Sequence, residues 1–346
     1  METNEPIELS AKEKNKVYDK LTSVEMGKLW ATYMGNSMSV CVLSYYLKHV
    51  EDEEINNVLE TVLNLSTAIL QDITKLFTEE NFPIPVGFND KDVNLGAPRL
   101  FEDQFYLHYL RYAGKAGLSL YSTAVPLVVR KDVRDFFIKT LDLTVKLLSK
   151  VNDILFAEGF LMKPPPIPVP EKVDFIQKQT YLNGFFGNVR PLHALEITDL
   201  YDNIDNDTTS KALLIGFSQT ANTEKVREFM LRGIEIAKKH IEACSQHLQK
   251  DHLPAPPLLD HLVSTSTAAP FSDKLMLFHK IDMFSMKIRT YANGASLNGR
   301  RDIGGMYARF LMDVGLFVED GANIMIEQGW MEQPPGAVDR NQLASK

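Results

Sequence analysis

Cysteine is nearly missing from this chain: two residues, Cys41 and Cys244, among 346. Both lie inside apolar helical patterns, so neither a disulfide framework nor a CxxC metal knuckle is expected. Their scarcity points to a reducing, intracellular setting, and a cytoplasmic location is the expectation. No stretch approaches the ~20 apolar residues that span a bilayer. The polar N-terminus, METNEPIELSAKEKNK, has no apolar core of the kind a signal peptide needs. No run of Lys or Arg offsets the net charge of -8, so neither nucleic acid nor a membrane surface is an expected partner. GxGxxG, P-loop and HExxH motifs are absent as well. What is present is 45% hydrophobic and 24% charged, the balance of a globular chain long enough for about two domains.

The chain repeats itself. At an offset of 171, Leu21 pairs with Leu192, Glu25 with Glu196, Leu29 with Leu200, Trp30 with Tyr201, and Ile55 with Val226. FPIP at 82–85 returns as LPAP at 253–256. Beyond that point the offset is 170. Phe101 and Asp103 pair with Phe271 and Asp273, and Arg130-Lys131-Asp132 with Arg300-Arg301-Asp302. Gly159-Phe160 pairs with Gly329-Trp330, and Pro164-Pro165 with Pro334-Pro335. One register held over so long a span indicates duplication. It divides the chain into an N-terminal extension (1–20), a first unit (21–166), a connector (167–191), a second unit (192–336) and a C-terminal tail (337–346).

Each unit reads as four helices. Thr22 with Glu25 forms a capping box, and Trp30, Met34, Met38, Cys41 and Tyr45 follow at helical spacing. The acidic run Glu51–Glu54 suits the start of a second helix, which ends by Asn81. A third helix starts near Glu102-Asp103 and stops before Pro126. A fourth is bounded by Asp132, read as its cap, and by Gly159. Period-2 alternation is not sustained anywhere. The connections run short, long, short, which is the pattern of ferritin-like bundles with parallel second and third helices; an up-down-up-down bundle with a slack loop is the alternative. The expected fold is therefore all-α, a tandem duplication of a ferritin-like four-helix bundle with a long loop between helices two and three. The apolar residues of the connector, Phe175, Ile176, Tyr181, Leu182, Phe185 and Phe186, are expected to seal the interface between the units.

Register also exposes where the second unit has changed. His240 replaces Ile69, His247 replaces Leu76, Asp205 replaces Met34, His279 replaces Tyr109, and Asp320 replaces Lys150. Interior positions have thus become groups that bind metals or carry protons, and burial makes such groups seek partners. His240, His279, Asp205, Asp320 and the nearby Glu319 are the candidate metal ligands, for iron or zinc. A ferritin-type diiron site also asks for Glu-x-x-His motifs. Ala237 and Cys244 stand three residues before His240 and His247, and the fourth helices hold no histidine. No catalytic residue is assigned.

The stretches LTSVEMGKLW, LKHVEDEEI, PIPVGFNDKDVNLGAPRLF, FSDKLMLFH and EDGANIMIEQGWMEQPP carry a resemblance over essentially the whole chain. The chain resembles uncharacterised tandem-bundle proteins of spore-forming bacilli, a family with a domain of unknown function. That family is similar to spore coat protein F-like and ferritin-like bundles. The resemblance implies the helical fold and a sporulation-linked setting, and supplies no catalytic residues. The expectation is a non-catalytic structural or interaction protein, sporulation- or stress-linked and spore-associated, with protein partners or self-association and no resident cofactor. One alternative is a metal-binding protein or metal-dependent oxidoreductase using the second bundle. Another is a module for a small apolar ligand, which the Met-rich faces (Met276, Met283, Met286, Met306) would suit.

Overall fold

The computed structural model describes residues 20–345, so the expected N-terminal extension lies almost wholly outside the described residues. The first unit contains α1 (Ser23–His49), α2 (Glu53–Glu79), α3 (Asp103–Ala124) and α4 (Lys131–Ala157). The second contains α5 (Ala194–Thr220), α6 (Glu224–Lys250), α7 (Asp273–Leu297) and α8 (Arg301–Glu327), followed by a short α9 (Arg340–Ala344). Among the described residues there is no strand, only two isolated bridges. The protein is all-α, in two tandem halves.

Carboxylates at both ends of each bundle set its connectivity. The capping-box residue Glu25 also accepts hydrogen bonds from Val129 N (3.0 Å) and Arg130 N (2.8 Å), pinning the α3–α4 turn beside the start of α1. At the other end, Asp103 Oδ2 accepts from Glu51 N (3.0 Å) and Asp52 N (2.8 Å), so α3 begins at the α1–α2 turn. Helix α3 therefore starts where α2 starts, the two run parallel, and the loop between them crosses the bundle. The second half repeats both devices. Glu196 accepts from Gly299 N (2.9 Å), and Asp273 accepts from Asn222 N (2.9 Å) and Thr223 N (2.8 Å). Gly159 and Gly329 take φ of +70° and +66° just past α4 and α8, a left-handed turn that costs glycine nothing. One expected cap is misplaced: α4 begins at Lys131 after Arg130, and Asp132 sits in its first turn bound to Arg130 Nη2 (2.6 Å).

The two crossover loops meet each other. Val93 bridges Phe271 and Phe101 bridges Val263. Asn94 N donates to Pro270 O (2.8 Å) and Ser264 N to Leu100 O (2.9 Å); Glu102 N donates to Leu262 O (2.9 Å) and Ser272 N to Asp92 O (3.0 Å). At the 170-residue offset each pair of bonds is one bond written twice. The halves are thus related by a pseudo-twofold axis, as in a self-complementary dimer. Residues on that axis touch their own counterparts, as Tyr109 Oη and His279 Nε2 do at 2.8 Å.

The connector does not seal this interface. Phe175, Ile176, Phe185 and Phe186 are 61–87% exposed, and Leu182 is also exposed. The loops and helices α3, α5 and α7 already cover the mating faces, so no apolar surface is left there for it. One apolar cluster runs through both halves, from Met34 to Met325. A second, separate cluster closes the far end of the first bundle around Leu29, Ile73, Phe77 and Phe137.

Candidate functional site

The interior of the second bundle is charged. Lys287 Nζ lies 2.8 Å from Asp207 Oδ1, and each side chain is 1% exposed. Tyr291 Oη donates to Asp207 Oδ2 (2.8 Å) and meets His240 Nδ1 at 3.0 Å. The other ring nitrogen of His240 lies 3.3 Å from Asp313 Oδ2, which Lys239 holds at 2.7 Å on the surface. This chain of contacts runs from the middle of the bundle to solvent. Lys287 also stands over the Phe284 ring at 4.0 Å, a cation–π contact in a desolvated place. Lys280, fully buried, donates to Ser210 Oγ (2.8 Å) and Ser210 O (3.1 Å), and burial drives its pKa well down. Burial also lowers the pKa of His240 to about 4, favouring the neutral ring.

The halves are joined by a second polar cluster. Asp205 on α5 pairs with Arg111 and Lys115 of α3, the latter at 3.1 Å. Lys115 also reaches Asp202 (2.6 Å) and Asn206 (2.9 Å). Although burial opposes its charge, Asp205 keeps a pKa below the usual carboxylate value because Lys115 and Arg111 flank it. Nearby, burial lowers His108 to about 4.

The candidate ligands named from sequence fall into separate settings. His240 and His279 are buried, as their register predicts, but they sit in different networks. His279 binds Tyr109 on the pseudo-axis, and burial lowers its pKa to about 3. Asp205 belongs to the inter-half ion cluster. Asp320 does not point inward: its side chain is 48% exposed and pairs with Arg232 at 2.8 Å. Glu319 is exposed. His247 is mostly buried beside Asp302, at 3.8 Å. Among the described residues, no three His, Cys, Asp or Glu side chains gather as a metal would need.

The first bundle differs at the same level. A cavity of about 300 Å³ opens between α1, α2, α3 and α4, with α7 of the second half closing one side. Ala113, Gly114, Ala116 and Gly117 line it on α3, facing Met38, Leu65 and Leu147. It lies between the two apolar clusters of that bundle, with Leu147 in one and Ile69 in the other. In the second bundle Met283, Phe284, Met286 and Lys287 occupy the four small-residue positions, and all four are buried. Most polar groups on the cavity wall are already paired. Asn36 donates to Thr32 O (2.8 Å) and Tyr121 Oη (3.3 Å), Thr144 to Thr140 O (2.8 Å), and Tyr112 Oη to Met283 O (2.8 Å). The sequence signal for this cavity is the row of small residues, visible once the two α3-type helices are aligned.

No helix among the described residues is long and apolar enough to cross a membrane. A comparison with curated proteins finds no match. Among solved structures, the chain is similar to a candidate spore coat protein from Bacillus halodurans C-125, at 18% identity and a TM-score of 0.39. That similarity covers 43% of this chain and 98% of the other. A family profile, described as a protein of unknown function (DUF3231), matches residues 10–173 and again 181–343. The chain therefore belongs to the DUF3231 family and carries two tandem copies of its domain.

Proposed function

We propose that this is a non-catalytic binding protein, which holds a small, largely apolar molecule inside its first bundle while the second bundle serves as a rigid partner. The observation that carries this reading is the interrupted core. Where the second bundle fills its centre with Met283, Phe284, Met286 and Lys287, the first keeps about 300 Å³ open behind Ala113, Gly114, Ala116 and Gly117. Empty apolar volume costs stability, on the order of 24 cal/mol per Å³, and an occupant recovers part of it. The volume falls at the small end of ligand pockets, which run from about 300 Å³ upward. The titratable groups of the second bundle support a structural role, since Lys287, Asp207, Tyr291 and His240 are engaged with one another. The sporulation-linked setting belongs to the same proposal and rests on the family resemblance.

The test is a titration of the whole chain with benzyl alcohol, followed by thermal shift and by NMR of the methyl groups around the cavity. The control is Ala113→Met/Ala116→Met, which copies the second bundle. Binding to the parent and none to the filled variant supports the reading. Equal behaviour of the two proteins would defeat it.

A further inference from the structure

The cavity has one polar feature its apolar lining does not explain. Asp282, on α7 of the second half, reaches into the wall of the first bundle's cavity. Among the described residues its carboxylate has no hydrogen-bond or ion-pair partner. It is accessible to solvent, yet burial raises its pKa. The carboxylate opens onto the cavity while protein atoms surround the rest of the side chain. The nearest opposing charge is Arg289, two turns along the same helix face and also part of the cavity lining. Its guanidinium is exposed and bound to Ser119 Oγ at 3.1 Å. Its pull on Asp282 is weaker than the desolvation it opposes, since the net shift is upward. A desolvated carboxylate without a partner is destabilising, and the group that would relieve it is a cation.

Resting on the binding reading above, we propose that the cavity takes a small organic monocation: an ammonium that seats on Asp282 and an apolar body that fills the space behind Ala113 and Gly117. The geometry divides the labour between the halves. The first bundle supplies the apolar walls, and the second supplies the charge. The Ser66 hydroxyl, on α2, also lines the wall and offers an acceptor for a second N–H. The register counterpart of Asp282 is Tyr112, whose hydroxyl is already used on Met283 O (2.8 Å). The pseudo-twofold therefore does not generate a second such site.

The experiment compares benzylamine, benzyl alcohol and benzoate on the intact chain at pH 7 by isothermal calorimetry. These share a ring and differ in charge. The expected order is benzylamine tightest, by about tenfold over the alcohol, with benzoate weakest. In Asp282→Asn the amine should lose that advantage while benzyl alcohol binds as to the parent, which also shows that the variant is folded with its cavity intact. If amine and alcohol bind equally well, or if Asp282→Asn leaves the preference unchanged, the cation proposal fails and the apolar cavity reading stands. A preference for benzoate assigns the site to Arg289 and overturns the proposal. If no compound distinguishes the parent from Ala113→Met/Ala116→Met, both readings fall together.

Discussion

The two halves share a frame and differ at the centre. Each has the same clips, Glu25 with Glu196 and Asp103 with Asp273, and the same crossover loop. Yet at equivalent depth one holds open space and the other an ion pair between Lys287 and Asp207. The backbone of a four-helix bundle is evidently fixed by its ends and loops, which leaves the middle free to diverge. In the first half small residues on α3 leave room. In the second, larger residues on α7 close that room, and charges placed there had to be partnered because the interior cannot solvate them.

The comparison breaks most sharply at the buried pair. Asp207→Ala leaves Lys287 charged, buried and alone, and should lower unfolding stability by roughly 3–5 kcal/mol. Replacing both residues with apolar ones of similar size (Asp207→Leu/Lys287→Met) should be close to neutral in urea titration. Equal losses for the single and double variants would show that the pair is not the reason for the cost.

Acid sharpens it next. His240 and His279 sit in the second half with pKa values lowered to about 4 and about 3, and His108 in the first with one lowered to about 4. Each ring binds its proton more readily when unfolded, near pH 6.5, than when folded. Stability is therefore full above about pH 6.5 and falls as the pH drops toward 4, by up to roughly 3 kcal/mol per histidine. His240→Phe should flatten part of that slope in urea titrations run from pH 7 to pH 4. An unchanged slope would mean that the ring is not neutral and buried as described.

The end clips allow a finer contrast. Glu196 also binds the Arg190 guanidinium through two 2.8 Å contacts, whereas among the described residues Glu25 is held by backbone amides and Thr22. Glu196→Ala should cost about 2–3 kcal/mol and Glu25→Ala about 1–2, read from chemical denaturation. The smallest effect is expected where the halves are made alike: Ala113→Met/Ala116→Met should raise stability by about 1 kcal/mol if the cavity is empty.

Much of the frame was legible because duplication leaves a signal stronger than any propensity. The two units followed from comparing the chain with itself, the Thr22–Glu25 cap from its own motif, and the parallel α2 and α3 from the lengths of the connections. The interior was half legible. Register put His240 and His279 inside, but it identified neither Asp207, which replaces Asn36, nor Lys287, which replaces Gly117. Asp207 sits beside Asp205 on α5 and Lys287 about two turns beyond His279 on α7, and only the fold shows that α5 and α7 bring them together. Asp320 was misjudged for a physical reason: its counterpart Lys150 is exposed, and an exchange between two charged residues on a bundle flank stays at the flank. The connector was misjudged because counting apolar residues says nothing about whether any surface remains for them to cover.

The paired crossover loops also bear on how the chain is made. During synthesis at about 5–20 residues per second, α4 is finished roughly 6–23 s before the second loop, at residues 260–272, has been added. Through that interval Asp92 O, Asn94 N, Leu100 O and Glu102 N await partners that the second half has yet to supply. A nascent first half on a neighbouring ribosome presents the same edge and competes for it. The tether favours the correct partner once that partner exists, by holding it at high local concentration. Joining two copies in one gene thus replaces a search between molecules with a delay on the ribosome.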